Sequence, residues 1–175
     1  MDVRGFTSLS ERVPPSELAQ VMNDFYGMAT NEVIARDGTV DKFVGDQIMA
    51  FFGAPFRADG HAERAVEAAE AIVGNVPTLS RELRVGGGVA SGQAYVGNVG
   101  GDEINDFTVL GDVVNVAARL QGAAAPGEIL LADEAYRRVK GHYPDLEERD
   151  LQLKGKSAAI TAWVVQTSSA AARAA

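Results

Sequence analysis

The chain of 175 residues contains no cysteine, which excludes disulfides, thiolate metal sites and cysteine nucleophiles. Histidine is scarce: His61 and His142 are the only two. Neither adjoins the motifs described below, so histidine acid–base catalysis is not expected and both read as surface residues. No run approaches the ~20 apolar residues of a membrane span, and no signal-peptide pattern is present. Positive charge is in deficit. Sixteen Lys and Arg against 24 Asp and Glu give a net charge of −8, which argues against a binder of nucleic-acid backbone. It does not argue against a nucleotide, because a small anion needs only a few local cations and a metal. A cytoplasmic location is expected, for a free protein or for the cytoplasmic part of a larger or membrane-attached one.

What remains is ordinary for a globular chain: 46% hydrophobic and 23% charged residues. The length fits one domain with a real core. After Pro14-Pro15-Ser16, the residues Leu18, Val21, Met22, Phe25 and Tyr26 recur at helical spacing. Two β-prone runs, 39–44 and 47–52, flank Gly45-Asp46, a hairpin signal. An Ala-rich helix is expected over 60–75 and a strand over 84–91, followed by the glycine-rich stretch 96–101. A strand at 107–110, the helix carrying Asn115 and Arg119, a strand at 128–131 and a short helix at 132–139 come next. Strands near 146–153 and 160–165 close the domain. Hairpins interrupt the strand–helix alternation, so the expected fold is an α/β (α+β) ferredoxin-like sandwich with extra strands rather than a pure parallel sheet. The domain is expected to span 2–166, with 167–175 a low-complexity, frayed and disordered tail.

Three strings carry chemistry. Asp106-Phe-Thr-Val-Leu-Gly-Asp-Val-Val-Asn-Val-Ala-Ala-Arg-Leu120 puts Asn115 and Arg119 four residues apart. On a helix such residues share a face, and Gly111-Asp112 before them is a turn with an N-cap candidate. Asp2 opens Asp-Val-Arg-Gly-Phe-Thr, and Asp46 sits at the hairpin tip of Lys42-Phe-Val-Gly-Asp. Read singly, each acid fits a structural role, since Asp is an ordinary turn former.

Read together, these strings resemble the catalytic domain of class III adenylate/guanylate cyclases. With Val96-Gly-Asn-Val-Gly-Gly101 they make four motifs in the family's order, and the resemblance runs from Asp2 to about Val165. It implies an adenylate cyclase (a phosphorus–oxygen lyase) that converts ATP to 3′,5′-cyclic AMP and pyrophosphate. Asp2 and Asp46, with the Val3 carbonyl, would hold two Mg²⁺ or Mn²⁺ ions, hard cations that favour oxygen ligands. Arg119 resembles the transition-state arginine and Asn115 the ribose holder. Lys154, in Leu153-Lys-Gly-Lys156, resembles the family's contact to the terminal phosphates. Ser91-Gly-Gln93 departs from the pattern: Gln stands where vertebrate-type cyclases carry a phosphate-binding Arg, and it brings no charge.

Lys42 and Thr108 fall at the positions that read the purine. An ammonium only donates, which suits adenine N1 and not the N1–H of guanine. The Thr108 hydroxyl is ambiguous, able to accept from the 6-amino group of adenine and to donate to a guanine carbonyl. ATP is therefore expected, carried mostly by Lys42, with a guanylate or mixed-specificity cyclase and a catalytically silent dimerisation or nucleotide-sensing module as alternatives. A diguanylate cyclase is not expected, because the hairpin tip lacks a Gly-Gly-Glu/Asp-Glu-Phe turn. In the family the metal pair and the base-reading residues come from different subunits. A homodimer with sites at its interface is expected, with regulatory domains of a longer protein as further partners. The family also carries a strand directly before its metal Asp. Here the sequence opens at Met1-Asp2 without that strand, as in a trimmed domain of a longer protein or an incomplete sequence; were this the true start, Asp2 would be expected on a mobile terminus.

Overall fold

The computed structural model describes residues 1–55, 59–80, 82–101, 105–152 and 159–167. Its elements run β1 (Asp2–Val3), α1 (Phe6–Arg12), α2 (Pro15–Ile34), β2 (Gly38–Val44), β3 (Gln47–Phe52), α3 (His61–Leu79), β4 (Val85–Val89), β5 (Tyr95–Gly100), β6 (Asn105–Leu110), α4 (Asp112–Ala123), β7 (Glu128–Ala132), α5 (Asp133–Val139), β8 (Glu147–Leu151) and β9 (Ile160–Gln166). Seven strands form one sheet in the order β2-β3-β1-β4-β7-β9-β8, and β5 and β6 form a separate two-stranded hairpin. β4 and β7 are parallel, and the other pairings are antiparallel.

Strand β7 shows how the sheet is held. All five of its residues are buried, and alternate side chains leave by opposite faces. Ile129 and Leu131 join the core that holds Phe25 of α2, Val66 of α3 and Ala135 of α5, while Leu130 and Ala132 join the one that holds Leu120 of α4. Helices therefore cover both faces, which is why β7 reads as a continuous apolar run rather than an alternating one. Glu128 sits in this strand at 5% exposure because Arg149 on β8 meets it with two hydrogen bonds, at 3.0 and 3.1 Å. That guanidinium, before the other contacts, holds the Glu128 carboxyl below its usual range.

Several boundaries differ from the sequence expectation. The Ala-rich helix runs on to Leu79, with Pro77 in its last turn. The glycine-rich stretch 96–101 belongs mostly to β5. Asp112 is the first helical residue of α4, and Gly111 occupies the cap without a side-chain hydrogen bond. The expectation of a mobile Asp2 needs correction. Asp2–Val3 forms a two-residue strand in the interior of the sheet, paired with both β3 and β4. His61 is half-buried against Gly53 rather than at the surface. Lys154 and the tail 168–175 lie outside the described residues.

Candidate active site

The two acids picked out by sequence meet. Strand β1 carries Asp2 between β3 and β4, in register with Gln47 and Gly86. The β2–β3 hairpin closes with Val44 opposite Gln47, leaving a two-residue turn in which Gly45 takes φ 61°. That left-handed conformation costs glycine little, and it brings Asp46 beside β1. The Val3 N–H reaches the Asp46 carbonyl at 3.4 Å. The Asp46 carboxyl is pushed up to about 6, first by burial and then by the neighbouring Asp2 carboxyl. Two acids that close resist double ionisation unless a cation joins them.

The surroundings of Asp2 were not evident from sequence. Gln121 Nε2 on α4 donates to Asp2 Oδ2 at 2.6 Å, and Gln47 Nε2 reaches the same oxygen at 3.3 Å. Arg4 lies 3.7 Å from Asp2 Oδ2 and also donates to the Gln121 carbonyl. Gln121 can reach this far because α4 lies close against β4 at Gly88. A Cβ at Gly88 would overlap the Ala117 carbonyl and the Gln121 backbone nitrogen.

A second cluster forms on the far side of the hairpin. Lys42 Nζ sits 2.5 Å from Asp106 Oδ2 and 3.8 Å from Asp41 Oδ2. The Thr108 hydroxyl donates to Asp41 Oδ2 at 3.1 Å. Lys42 and Thr108, 66 residues apart by their numbers (108 − 42), are thus brought together around one buried carboxylate. The hydrogen bond to Asp106, before the other influences, holds the Lys42 ammonium above its ordinary range.

Asn115 and Arg119 lie on α4 as the four-residue spacing predicts, Asn115 exposed and Arg119 half-buried. Arg119 Nη1 is buried and makes no hydrogen bond among the described residues. No hydrogen bond or ion pair joins the Asp2–Asp46 pair to Lys42, Thr108, Asn115 or Arg119 among the described residues. One chain therefore presents two clusters, not one. A cleft of 1360 Å³ is lined by Gln47, Tyr95, Leu110, Val113, Ala117 and Gln121.

The family model for the adenylate and guanylate cyclase catalytic domain matches residues 1–166. The chain belongs to that family. It is a nucleotide cyclase domain by family and by fold. The crystal structure of the adenylyl cyclase CyaB from P. aeruginosa superposes with a TM-score of 0.83 at 33% identity, covering 95% of this chain and 91% of that one. The guanylyl cyclase Cya2 gives 0.82 at 26% identity, over 95% and 89% of the two chains. Among curated proteins, Rv1318c of Mycobacterium tuberculosis is 38% identical over 137 residues, 77% of this chain. The match spans only 25% of that relative's length. No described helix is long and apolar enough to cross a membrane.

The donor set near Asp2 fits a hard divalent cation. Both groups are carboxylates, and a bound cation would offset the burial and like-charge repulsion that raise the Asp46 carboxyl. No group of three or more His, Cys, Asp or Glu converges among the described residues. Mg²⁺ commonly binds through one or two carboxylates, with substrate phosphates completing the shell.

Proposed function

We propose that this domain is an adenylate cyclase acting as a homodimer, with each site assembled from two copies. The observation that carries the reading is the separation of the Asp2–Asp46 pair from the Lys42–Thr108 cluster within one chain. Lys42 and Asp46 are four residues apart on one hairpin. They are too near in chain to serve the base and the phosphates of a single extended ATP, whereas two copies related by a two-fold axis supply one cluster each. The surface available to a second copy is apolar: Phe43, Val44, Tyr95, Phe107 and Leu110 are each at least 45% exposed.

In the reaction the ribose 3′-oxygen bonds to the α-phosphorus, the 3′-hydroxyl loses its proton, and the bond from the α-phosphorus to pyrophosphate breaks. Divalent cations, two per site, held by Asp2, Asp46 and the Val3 carbonyl would supply Lewis-acid charge to the attacking and leaving oxygens. Arg119 directs an unpartnered N–H at charge that grows on the α-phosphate. Asn115, one turn earlier on the same face, holds the ribose so that its oxygen lies in line. Lys42 donates to adenine N1, and Thr108 accepts from the 6-amino group. Lys154 takes the terminal phosphates. Regulatory segments of a longer polypeptide are proposed from the length of the curated relatives.

A guanylate or mixed specificity is the second reading, because Cya2 is described as a guanylyl cyclase and the Thr108 hydroxyl can donate as well as accept. One assay separates the two. Purified protein is given ATP or GTP with Mg²⁺ or Mn²⁺, and the products are separated by chromatography. Metal-dependent cyclic AMP that rises more than linearly with protein concentration is expected. Cyclic GMP in its place would overturn the adenylate assignment. No cyclic product from a folded dimer would leave a silent module.

A further inference from the structure

Strand β2 contains an irregularity at Asp41. Val40 pairs with Ala50 and Lys42 with Met49, so Asp41 is an extra residue with no partner in the ladder. Bulges of this kind re-aim a side chain. Here the side chain turns inward, with 0% of it exposed. Its Oδ2 accepts the Thr108 hydroxyl at 3.1 Å and lies 3.8 Å from the Lys42 ammonium. Its Oδ1 is buried and accepts no hydrogen bond among the described residues. The Thr108 hydroxyl is therefore the hydrogen-bond donor to this carboxylate among those residues.

We infer that Asp41 sets the base preference by holding the hydroxyl proton of Thr108, so that the Thr108 oxygen can face the base only as an acceptor. This rests on the reading of Lys42 and Thr108 as the base-contacting pair. A threonine hydroxyl has one proton and two lone pairs. A buried carboxylate that surrendered this donor would keep only the Lys42 ammonium at 3.8 Å and no hydrogen bond among the described residues, a costly state. The proton thus stays on the Asp41 side. Adenine offers a 6-amino donor to the remaining lone pairs. Guanine offers a 6-carbonyl, which meets them lone pair to lone pair, and discrimination follows from that repulsion. The ambiguity of an isolated threonine is removed by a residue that does not touch the base. Asp41 is a positioning residue, acting through Thr108.

The test is the ratio of kcat/KM for ATP to kcat/KM for GTP, together with displacement of a fluorescent nucleotide by ATP and by GTP. A misfolded fraction cancels in such a ratio. Asp41→Asn supplies an amide N–H to Thr108 and frees the hydroxyl proton for the base. The ratio should fall about tenfold, the scale of one mispaired polar contact, chiefly through gain with GTP. In a Thr108→Val background the same change should leave the ratio where Thr108→Val alone puts it. Thr108→Ser, which keeps the hydroxyl, should preserve the ratio that Thr108→Val loses, and this comparison decides the matter if the Asp41 variant does not fold. Equal scaling of both nucleotides by Asp41→Asn, an undiminished effect in the Thr108→Val background, or equal ratios for Thr108→Ser and Thr108→Val would each overturn the inference. Such results in a protein that still prefers ATP leave the adenylate cyclase reading standing. A wild-type protein that binds ATP better than GTP but forms no cyclic product sinks that reading alone, and the displacement ratios still decide the role of Asp41. A wild-type preference for GTP sinks both.

Discussion

Gln121 donates to the Asp2 carboxylate across 2.6 Å although 119 residues separate them in sequence. The same glutamine accepts from Gln47 at 3.4 Å, so one side chain ties α4 to the β1–β3 edge on which the carboxylate pair is built. If Asp2 holds a cation as proposed, a group that orients its carboxylate affects cation affinity before it affects the fold. Gln121→Leu should lower turnover about 10- to 100-fold, the range seen when such supporting partners are removed. The half-saturating metal concentration should rise with it, while the melting temperature changes little. A metal titration at saturating ATP reads this directly. An unchanged metal dependence would reduce Gln121 to a packing residue.

Asp46 should show opposite signs for stability and for activity. Its carboxyl is pushed up to about 6 in the folded protein, above the ordinary 3.8. Between those values the native state binds more protons than the unfolded one, so stability falls as pH rises through the window. Asp46→Asn removes a burdened ionisable group. With a chelator present, the variant should be more stable than the parent above about pH 7, and the two should converge below about pH 4. The gain should be about 1 kcal/mol once solvent screening of a partly exposed group is allowed for. Metal-dependent turnover should be abolished. Denaturant melts across pH measure the first effect and the product assay the second. A variant less stable than the parent at neutral pH would contradict the burdened Asp46 carboxyl.

Local chemistry in the sequence made much of this architecture legible. The Gly45-Asp46 turn announced the β2–β3 hairpin because only a short list of residue pairs closes a two-residue loop. The helical stripe correctly included Met22 and Phe25, but Ala29 and Val33 complete the buried face, with Leu18, Val21 and Tyr26 only half-buried. Strand β1 was missed because two residues carry no periodicity, and β5 because Gly97 and Gly100 break an apolar run. In the site, the motif positions Asp2, Asp46, Lys42 and Thr108 could be named, but not what holds them. Gln121 looks like an ordinary polar residue late in a helix. Asp41 looks like an exposed strand residue until the bulge is counted. Contacts across more than 60 positions leave no spacing to read.

Gly88 is where the fold and the chemistry meet most tightly. The β4–α4 contact leaves no room for a methyl group there, and the atoms in its way are backbone. Backbone cannot swing aside as a side chain can, so α4 must move. Overpacking costs about 1–3 kcal/mol in ordinary cores, and Gly88→Ala should fall at or beyond the top of that range. Because Asn115, Arg119 and Gln121 ride on the displaced helix, turnover of the folded protein should fall by far more than the loss of folded fraction. Denaturation and activity measured on one preparation separate the two. A destabilised protein with full turnover per folded molecule would mean that the position of α4 is not critical.

The proposed division of the site between two copies makes a prediction that a single-chain site cannot mimic. Asp46→Ala removes one arm of the carboxylate pair, and Arg119→Ala removes the guanidinium whose Nη1 makes no hydrogen bond among the described residues. Each homodimer should be inactive. In a heterodimer, one interface site collects both defects and the other collects none, because its Asp46 comes from the Arg119→Ala copy and its Arg119 from the Asp46→Ala copy. Equal mixing gives heterodimers as half of all dimers, each with one intact site of two, so activity should return to about one quarter of the parent level. A site contained in one chain would stay dead in every combination. The mixing is run with labelled subunits whose exchange is followed by energy transfer. Exchange without recovered activity would place both residues in one chain's site and remove the shared arrangement.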